Sequence, residues 1–263
     1  MNRINAVREK KMSKDEDDEY EYEQQAVLEQ VFGHSSSSSG DDDDEHYRAA
    51  VLEHVFGHSS SSDSDSDNCH SNPKKWERIE KVKGLWIVRN FLSTHKQSRL
   101  LSSIASENWF TQPSINQSMR FGYQNLPRWA IKLSNSICKS CSSSSSPFLQ
   151  NLSTRYPFFD QMITNVYQPG EGICAHVDLL KFEDGIAIVS LESSCVMDFT
   201  LGDETVPVLL EPGSLVMMYG EARYVWKHEI NRKDGFQSWK GELLDQTTRT
   251  SITLRKLCAS PSI

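Results

Sequence analysis

The strongest constraint on the fold is a series of short apolar segments, rich in β-branched residues, in the second half of the chain. They lie at residues 162–168, 185–191, 195–201, 206–210, 214–219, 224–230 and 249–257. Turn-forming pairs separate them, such as Pro169-Gly170 and Pro212-Gly213. A parallel α/β fold would need a helix between most of these strands. The pattern therefore predicts a mainly β fold, either a sandwich or a jelly roll.

Flanking elements are predicted upstream of this series. Residues 84–91 form an apolar, β-branched run that indicates a strand. Residues 93–107 carry apolar side chains at helical spacing behind a capping Ser93, and a second helix is predicted over 127–139, after Pro127. Between them, residues 109–129 mix aromatic, basic and amide side chains, which favours a loop or ribbon.

The first 72 residues have a different composition from the remainder. They carry 18 acidic and 6 basic side chains, whereas residues 73–263 carry 18 acidic and 22 basic ones. A repeat, AVLEQVFGHSSSSS at 26–39 and AVLEHVFGHSSSSD at 50–63, sits among runs of Ser and Asp. Such composition buries too little apolar surface to fold alone. We predict a disordered acidic segment over 1–72 and a folded domain over 73–263. The alternative for the repeats is a pair of docking motifs that fold on a protein partner.

Composition also bears on location. No stretch approaches the ~20 apolar residues that span a bilayer, and residues 1–25 lack the apolar core of a secretory signal. The six cysteines are then expected to be reduced thiols. We expect a cytoplasmic or nuclear monomer without a membrane contact.

One group of residues suggests metal chemistry. His176 and Asp178 are two apart and share a face in extended geometry, and His228 follows 50 residues after Asp178. Two imidazoles and one carboxylate match the facial triad of non-haem Fe(II) oxygenases, whereas zinc more often takes a fourth protein ligand. Such a pattern also arises by chance among unrelated polar residues. We expect the triad at strand ends, facing solvent before metal binds.

Two further pairs lie on the predicted strands. Arg249 and Arg255 are six residues apart on the last strand, so they share a face. They could clamp a dicarboxylate such as 2-oxoglutarate or pair with carboxylates of the domain. Asn165 and Tyr167 share a face of the first strand and either contact the same co-substrate or line the barrel as ordinary polar residues.

Together these segments resemble the AlkB-like Fe(II)/2-oxoglutarate dioxygenases over residues 161 to 256. The landmarks are NVYQPGEGICAHVD, FEDGIAIVSLESSCVMDF, PGSLVMMYGEARYVWKH and RTSITLRK. The order of N-x-Y, H-x-D, a distant His and R-x5-R is specific when all four parts occur. The sequences of these segments are most similar to the branch that contains the tRNA wobble-uridine hydroxylases.

The resemblance implies a double-stranded β-helix, a form of jelly roll, with flanking helices. It implies Fe(II) as cofactor, with 2-oxoglutarate and O2 as co-substrates. The Fe(II) ligands it implies are His176, Asp178 and His228. The 2-oxoglutarate contacts it implies are Asn165, Tyr167, Arg249 and Arg255.

The same family places a nucleotide-recognition lid where residues 109–129 lie. Aromatic and cationic side chains here suit stacking on an extruded base. The candidates are Arg120, Phe121, Tyr123 and Trp129. The alternative is that the aromatic residues only pack the lid on the barrel.

The sequence thus predicts a dioxygenase that hydroxylates or oxidatively demethylates a nucleobase, with RNA, and tRNA in particular, favoured over DNA. A protein or metabolite hydroxylase with the same chemistry is one alternative. The other is a catalytically idle barrel that acts as an interaction module.

Deletion of residues 1–72 should leave the melting temperature and 2-oxoglutarate turnover nearly unchanged, because the acidic segment is expected to add no packed core. Circular dichroism and a succinate assay on residues 73–263 and on the full chain would measure both. A large loss of melting temperature would show that the Val, Leu and Phe residues of the repeats pack on the barrel.

Overall fold

The computed structural model describes residues 75–112, 114–142, 152 and 155–259. The predicted disordered segment and its two repeats lie outside the described residues. Within the part that is described, no helix is both long enough and apolar enough to cross a bilayer.

The described part is mainly β, with three α-helices and a 3-10 turn. The strands are β1 (Glu77–Arg78), β2 (Leu85–Val88), β3 (Gln117–Phe121), β4 (Gln161–Tyr167), β5 (Ile173–His176), β6 (Ile186–Glu192), β7 (Cys195–Leu201), β8 (Glu204–Leu210), β9 (Leu215–Met218), β10 (Lys227–Ile230), β11 (Ser238–Trp239), β12 (Glu242–Leu243) and β13 (Arg249–Arg255). The helices are α1 (Thr94–Ser106), α2 (Arg128–Cys141) and α3 (Glu221–Tyr224), and the 3-10 turn is Tyr123–Asn125.

The strands pair as one long hairpin that winds around an axis. β4 pairs with β13, β5 with β10, β6 with β9 and β7 with β8, all antiparallel. The winding produces a seven-stranded sheet in the order β1-β2-β9-β6-β13-β4-β3 and a four-stranded sheet in the order β5-β10-β7-β8. This is the predicted double-stranded β-helix, and its ends bring together residues that are far apart in sequence.

Two apolar cores follow from the alternation of side chains along the strands. On β6, Ile186 and Ile188 belong to the core shared with the four-stranded sheet. Ala187, Val189 and Leu191 point the other way, into the core that α1 and α2 cover. The seven-stranded sheet is therefore buried on both faces, which is why β6 reads as a continuous apolar run.

The flanking elements largely match their predictions. The predicted cap is present, since the Ser93 side chain accepts a hydrogen bond from the Lys96 backbone N–H at 3.4 Å. The stretch predicted as a loop or ribbon contains β3, an edge strand on β4. The predicted strand over 224–230 is wrong at its start, because Tyr224 ends helix α3 and β10 begins at Lys227. The four-residue strand β5 was absent from the prediction.

The approach of β2 to the end of β9 requires glycine at one position. Gly84 has a φ of +85°, and a Cβ there would lie 1.6 Å from the carbonyl oxygen of Tyr219. Gly202, in the turn between β7 and β8, has a φ of +58° with nothing within 4 Å of a Cβ. Both positions need a positive φ, which favours glycine, but only at Gly84 would a Cβ also collide with another atom.

Gly84→Ala should therefore reduce the free energy of unfolding by about 1–3 kcal/mol more than Gly202→Ala, since overpacking is added to the left-handed backbone cost. Urea denaturation followed by circular dichroism measures both variants. Equal losses would show that β2 moves away from β9 without cost.

Candidate metal centre and co-substrate site

The two triad histidines face each other across a strand pair. His176 ends β5 and is the register partner of His228 on β10, and their ring centroids are 4.3 Å apart. Asp178 follows β5 by two residues. The ligand atoms of these three residues all lie within 4.8 Å of one another. The structure therefore brings the predicted triad together through β-pairing.

Asp178 is a buried carboxylate held by an arginine. Asp178 is 6% exposed, and its Oδ1 lies 2.5 Å from Nη2 of Arg255. Burial alone would raise the pKa of Asp178, but the cationic groups around it, with the guanidinium of Arg255 first among them, outweigh burial and hold the pKa well below its usual range. The group is therefore an anion at neutral pH, as a metal ligand must be.

A second arginine fixes the loop that carries Asp178. Arg223 on α3 is buried and donates to the backbone carbonyls of Asp178, Leu179 and Phe182 at 2.8, 2.6 and 3.1 Å. These contacts join α3, which precedes β10, to the loop that follows β5. Sequence reasoning missed Arg223 as a site residue. The GEARYVWKH segment contains it, but no periodicity marks it as buried.

His228 is kept neutral by its surroundings. Burial, followed by repulsion from His176, lowers the pKa of His228 to about 3 against the opposing attraction of Asp178. Its Nε2 lies 3.7 Å from Oδ2 of Asp178, which is too long for a hydrogen bond. Because the imidazole is neutral, this approach is not an ion pair. The two atoms are instead ligand atoms close to a shared site.

A backbone carbonyl orients the imidazole ring of His176. Its Nδ1 lies 2.9 Å from the carbonyl oxygen of Cys174, which can only accept, so Nδ1 is the donor of this hydrogen bond and Nε2 is the nitrogen left for a metal. Phe199 on β7 lies against the other imidazole, with ring centroids 5.9 Å apart. Both contacts restrict the rotation of the rings, which favours a preformed ligand set.

These residues fit a divalent cation. Oδ2 of Asp178 is buried and has no hydrogen-bond partner among the described residues, whereas Oδ1 is taken by Arg255. An orphaned carboxylate oxygen beside two imidazoles supplies the two-histidine, one-carboxylate donor set of Fe(II). The expectation of a solvent-facing triad is wrong for Asp178 and for His228, which is 5% exposed, because the loop after β5 folds under Arg223.

The two arginines of β13 make different contacts. Arg255 forms the ion pair with Asp178, as expected if this arginine pairs with a carboxylate of the domain and does not clamp a dicarboxylate. Arg249 is 1% exposed; its Nε donates to Oγ of Ser190 at 3.1 Å, and its guanidinium lies 5.5 Å from the ring centroid of Tyr167. Its Nη2 is buried without a partner, and none of the described ion pairs involves it. A buried guanidinium in this state fits an anionic ligand.

Asn165 and Tyr167 lie beside this arginine. On β4 they are the register partners of Ser251 and Arg249, so they share the face that carries both arginines. Oδ1 of Asn165 accepts from Nε2 of Gln117 at 2.8 Å. Burial raises the pKa of Tyr167 against the opposing effects of Arg249 and Asn165, so the phenol keeps its proton as a donor.

The four lid candidates do not lie together. Phe121 is the register partner of Gln161, on the face of β3 toward the site. Arg120 points to the other face, with its guanidinium 4.4 Å from the ring centroid of Trp109. Tyr123 and Trp129 pack against the core under the helices. The packing alternative thus describes Trp129, whose Nε1 also donates to Glu107 at 2.9 Å.

Asp178→Ala and His176→Ala should both abolish binding of a divalent metal, but they should differ in stability. Loss of Asp178 leaves the buried Arg255 without its carboxylate, and breaking a buried pair costs about 3–5 kcal/mol. His176 is only partly buried, so its loss should cost less, about 1 kcal/mol. Anaerobic calorimetry with Fe(II) and urea denaturation measure the two effects. Equal stability of the two variants would contradict the importance of the Arg255 pair.

Comparisons with known proteins indicate the same family that the sequence motifs resemble. Residues 84–255 match the family model of the 2OG-Fe(II) oxygenase superfamily. The tRNA (carboxymethyluridine(34)-5-O)-methyltransferase ALKBH8 of Macaca fascicularis is 34% identical over 206 residues, which cover 68% of this chain and 31% of that protein. The Uncharacterized protein L905 of Acanthamoeba polyphaga mimivirus is 27% identical, over 71% of this chain and 91% of that protein.

The Alkylated DNA repair protein ALKBH8 homolog of Arabidopsis thaliana is 25% identical over 68% of this chain and 60% of that protein. The chain spans about a third of the length of the vertebrate relatives that it matches. The chain belongs to the 2OG-Fe(II) oxygenase superfamily as an AlkB-like member, and this family implies Fe(II) as cofactor with 2-oxoglutarate and O2 as co-substrates.

Proposed function

We propose that this chain is an Fe(II)- and 2-oxoglutarate-dependent dioxygenase that hydroxylates or oxidatively demethylates a nucleobase, with tRNA favoured among RNA substrates and RNA favoured over DNA. The observation that carries the proposal is that one barrel holds the triad, with Asp178 and His228 buried, and Arg249, a buried guanidinium on the same strand as the partner of Asp178. A metal site and an anion site in one barrel are the two parts that this chemistry requires.

The residues would divide the work as follows. His176, Asp178 and His228 would hold Fe(II), which with 2-oxoglutarate and O2 supplies the oxidising power to attack a substrate C–H bond while 2-oxoglutarate becomes succinate and CO2. Arg255 keeps Asp178 anionic and aimed at the metal. Arg223 holds the loop that carries Asp178 in place through three backbone carbonyls. The protein contributes position and exclusion of water.

Arg249 is proposed as the clamp for the remote carboxylate of 2-oxoglutarate. Its Nε is held by Ser190, and Nη2 remains to meet a carboxylate oxygen. Tyr167, across the strand pair, keeps its phenolic proton and can donate to the same ligand. Asn165 lies further along the same face and supplies an amide. Arg255 is engaged by Asp178 and therefore belongs to the iron end of the site.

The nucleobase substrate rests on two supports. Relatives are named as enzymes of tRNA and as an alkylated DNA repair protein. The aromatic ring of Phe121 lies on the site face of the edge strand β3, where an extruded base would enter. On an N-methyl group, the hydroxylated product would lose formaldehyde. On a side-chain methylene, the hydroxyl would remain.

Arg249→Lys should raise the half-saturating concentration of 2-oxoglutarate by about tenfold or more and leave Fe(II) affinity unchanged. Lysine keeps the charge but loses the fork that binds a carboxylate at two points. The matched control is Arg89→Lys, at a surface arginine that pairs with Glu77 at 3.0 Å, and it should change neither constant. An unchanged 2-oxoglutarate requirement in Arg249→Lys would make Arg249 a structural residue.

The substrate is tested by mass spectrometry of nucleosides. RNA and DNA from cells with the wild-type protein, without it, and with His176→Ala would be digested and compared. A modified tRNA nucleoside that depends on both the protein and His176 supports the proposal. Unchanged nucleosides together with 2-oxoglutarate turnover would favour the alternative of a protein or metabolite hydroxylase.

A further inference from the structure

Lys181 lies at an unusual position beside the metal centre, three residues after Asp178. Its side chain is half-buried between two aromatic rings, with Nζ 5.4 Å from the ring centroid of Phe182 and 5.9 Å from that of Phe121. The guanidinium of Arg255 lies 5.0 Å from the same Phe182 ring. The ring of Phe182 therefore contacts both the lysine ammonium and the arginine that holds Asp178.

The backbone around Lys181 is fixed at several points. Its carbonyl oxygen accepts from the N–H of Cys258 at 2.8 Å, and Phe182 forms an isolated bridge with Leu257. Arg223 binds the carbonyls on either side, as described above. The backbone of this loop, which carries a metal ligand at its start and Lys181 near its end, is thus held in place by several contacts.

The ammonium lacks a compensating carboxylate. None of the described ion pairs involves Lys181, whereas Glu183, two residues away, is engaged by Arg155 at 3.7 Å. Burial, followed by repulsion from Arg255, lowers the pKa of Lys181, and no acidic group opposes these effects. Arg255 is already paired with Asp178, so the charge left without an acidic partner among the described residues is that of Lys181.

We propose that Lys181, together with the ring of Phe121, forms a nucleotide subsite at the mouth of the barrel, in which the ammonium binds a backbone phosphate of the strand that carries the target base. This inference rests on the proposed action on RNA and extends it with a contact. Phe121 supplies a stacking face on β3, and Lys181 supplies the counter-charge for the phosphate beside it.

The geometry favours this role over packing alone. A lysine stem that only covers apolar surface normally extends its ammonium into water. Here the adjacent side chain, Leu180, is 75% exposed, whereas the lysine turns back between Phe121 and Phe182. The cation is thus retained next to the site, where a phosphate can replace the water that it loses.

The test uses fluorescence anisotropy of a labelled single-stranded RNA of mixed sequence, titrated with the full chain at several salt concentrations. Lys181→Ala should weaken binding about 3- to 10-fold at low salt. It should also reduce the slope of log affinity against log salt by about 0.7, the value for one phosphate contact on a single strand. Lys181→Arg keeps the cation and should restore both quantities.

Lys96→Ala is the matched control, because Lys96 is an exposed lysine on α1, behind the seven-stranded sheet, and its loss should change neither quantity. Melting temperatures establish that each variant is folded. If the wild-type chain binds RNA and Lys181→Ala gives the same affinity and salt slope, the subsite is overturned alone. If the wild-type chain turns over 2-oxoglutarate but binds no RNA, the nucleic-acid part of the proposed function falls, and the subsite falls with it.

Discussion

The ion pair between Arg255 and Asp178 is the interaction on which the site depends. A carboxylate must be anionic to bind a metal, yet burial favours its neutral form. Arg255 resolves this conflict at 2.5 Å, and the buried guanidinium of Arg223 adds to its effect. The same burial acts in the opposite direction on His228, whose pKa falls to about 3, so that its nitrogen is available to a metal. One dry environment thus sets both ligands in their binding forms.

The wound hairpin is what makes this environment possible. Asp178 and His228 are 50 residues apart, and they meet because β5 pairs with β10 in the register that opposes His176 to His228. Arg255 reaches Asp178 from the other sheet, at the end of β13. The site therefore draws on both sheets, and its geometry depends on the strand register. A register shift of one residue would turn these side chains to the opposite face of the sheet.

Much of the strand pattern could be predicted from sequence, because alternation and turn chemistry are local signals, and β7 was predicted with its observed bounds. The triad was predicted from the H-x-D motif with a distant His and from the family resemblance, although Asp178 lies in the loop after β5 and not on the strand. Arg223 could not be predicted, since its value lies in three carbonyls more than 40 residues away. The lid failed as a set for a similar reason. Arg120 and Phe121 are adjacent, so the pleat sends them to opposite faces, and composition does not reveal which face meets the site.

The two arginines on β13 are too far apart along the strand to bind one small ligand easily, and their contacts agree with this. Six residues of strand span about 20 Å at ~3.3 Å per residue, which exceeds the length of 2-oxoglutarate. Two arginines so far apart serve one small ligand only if their side chains converge. In this barrel they do not share a partner, because Arg255 binds the carboxylate of Asp178 and Arg249 binds Ser190. Under the proposed function, one guanidinium thus neutralises a carboxylate of the protein and the other a carboxylate of the co-substrate. Each of these two guanidiniums would then have its own anion.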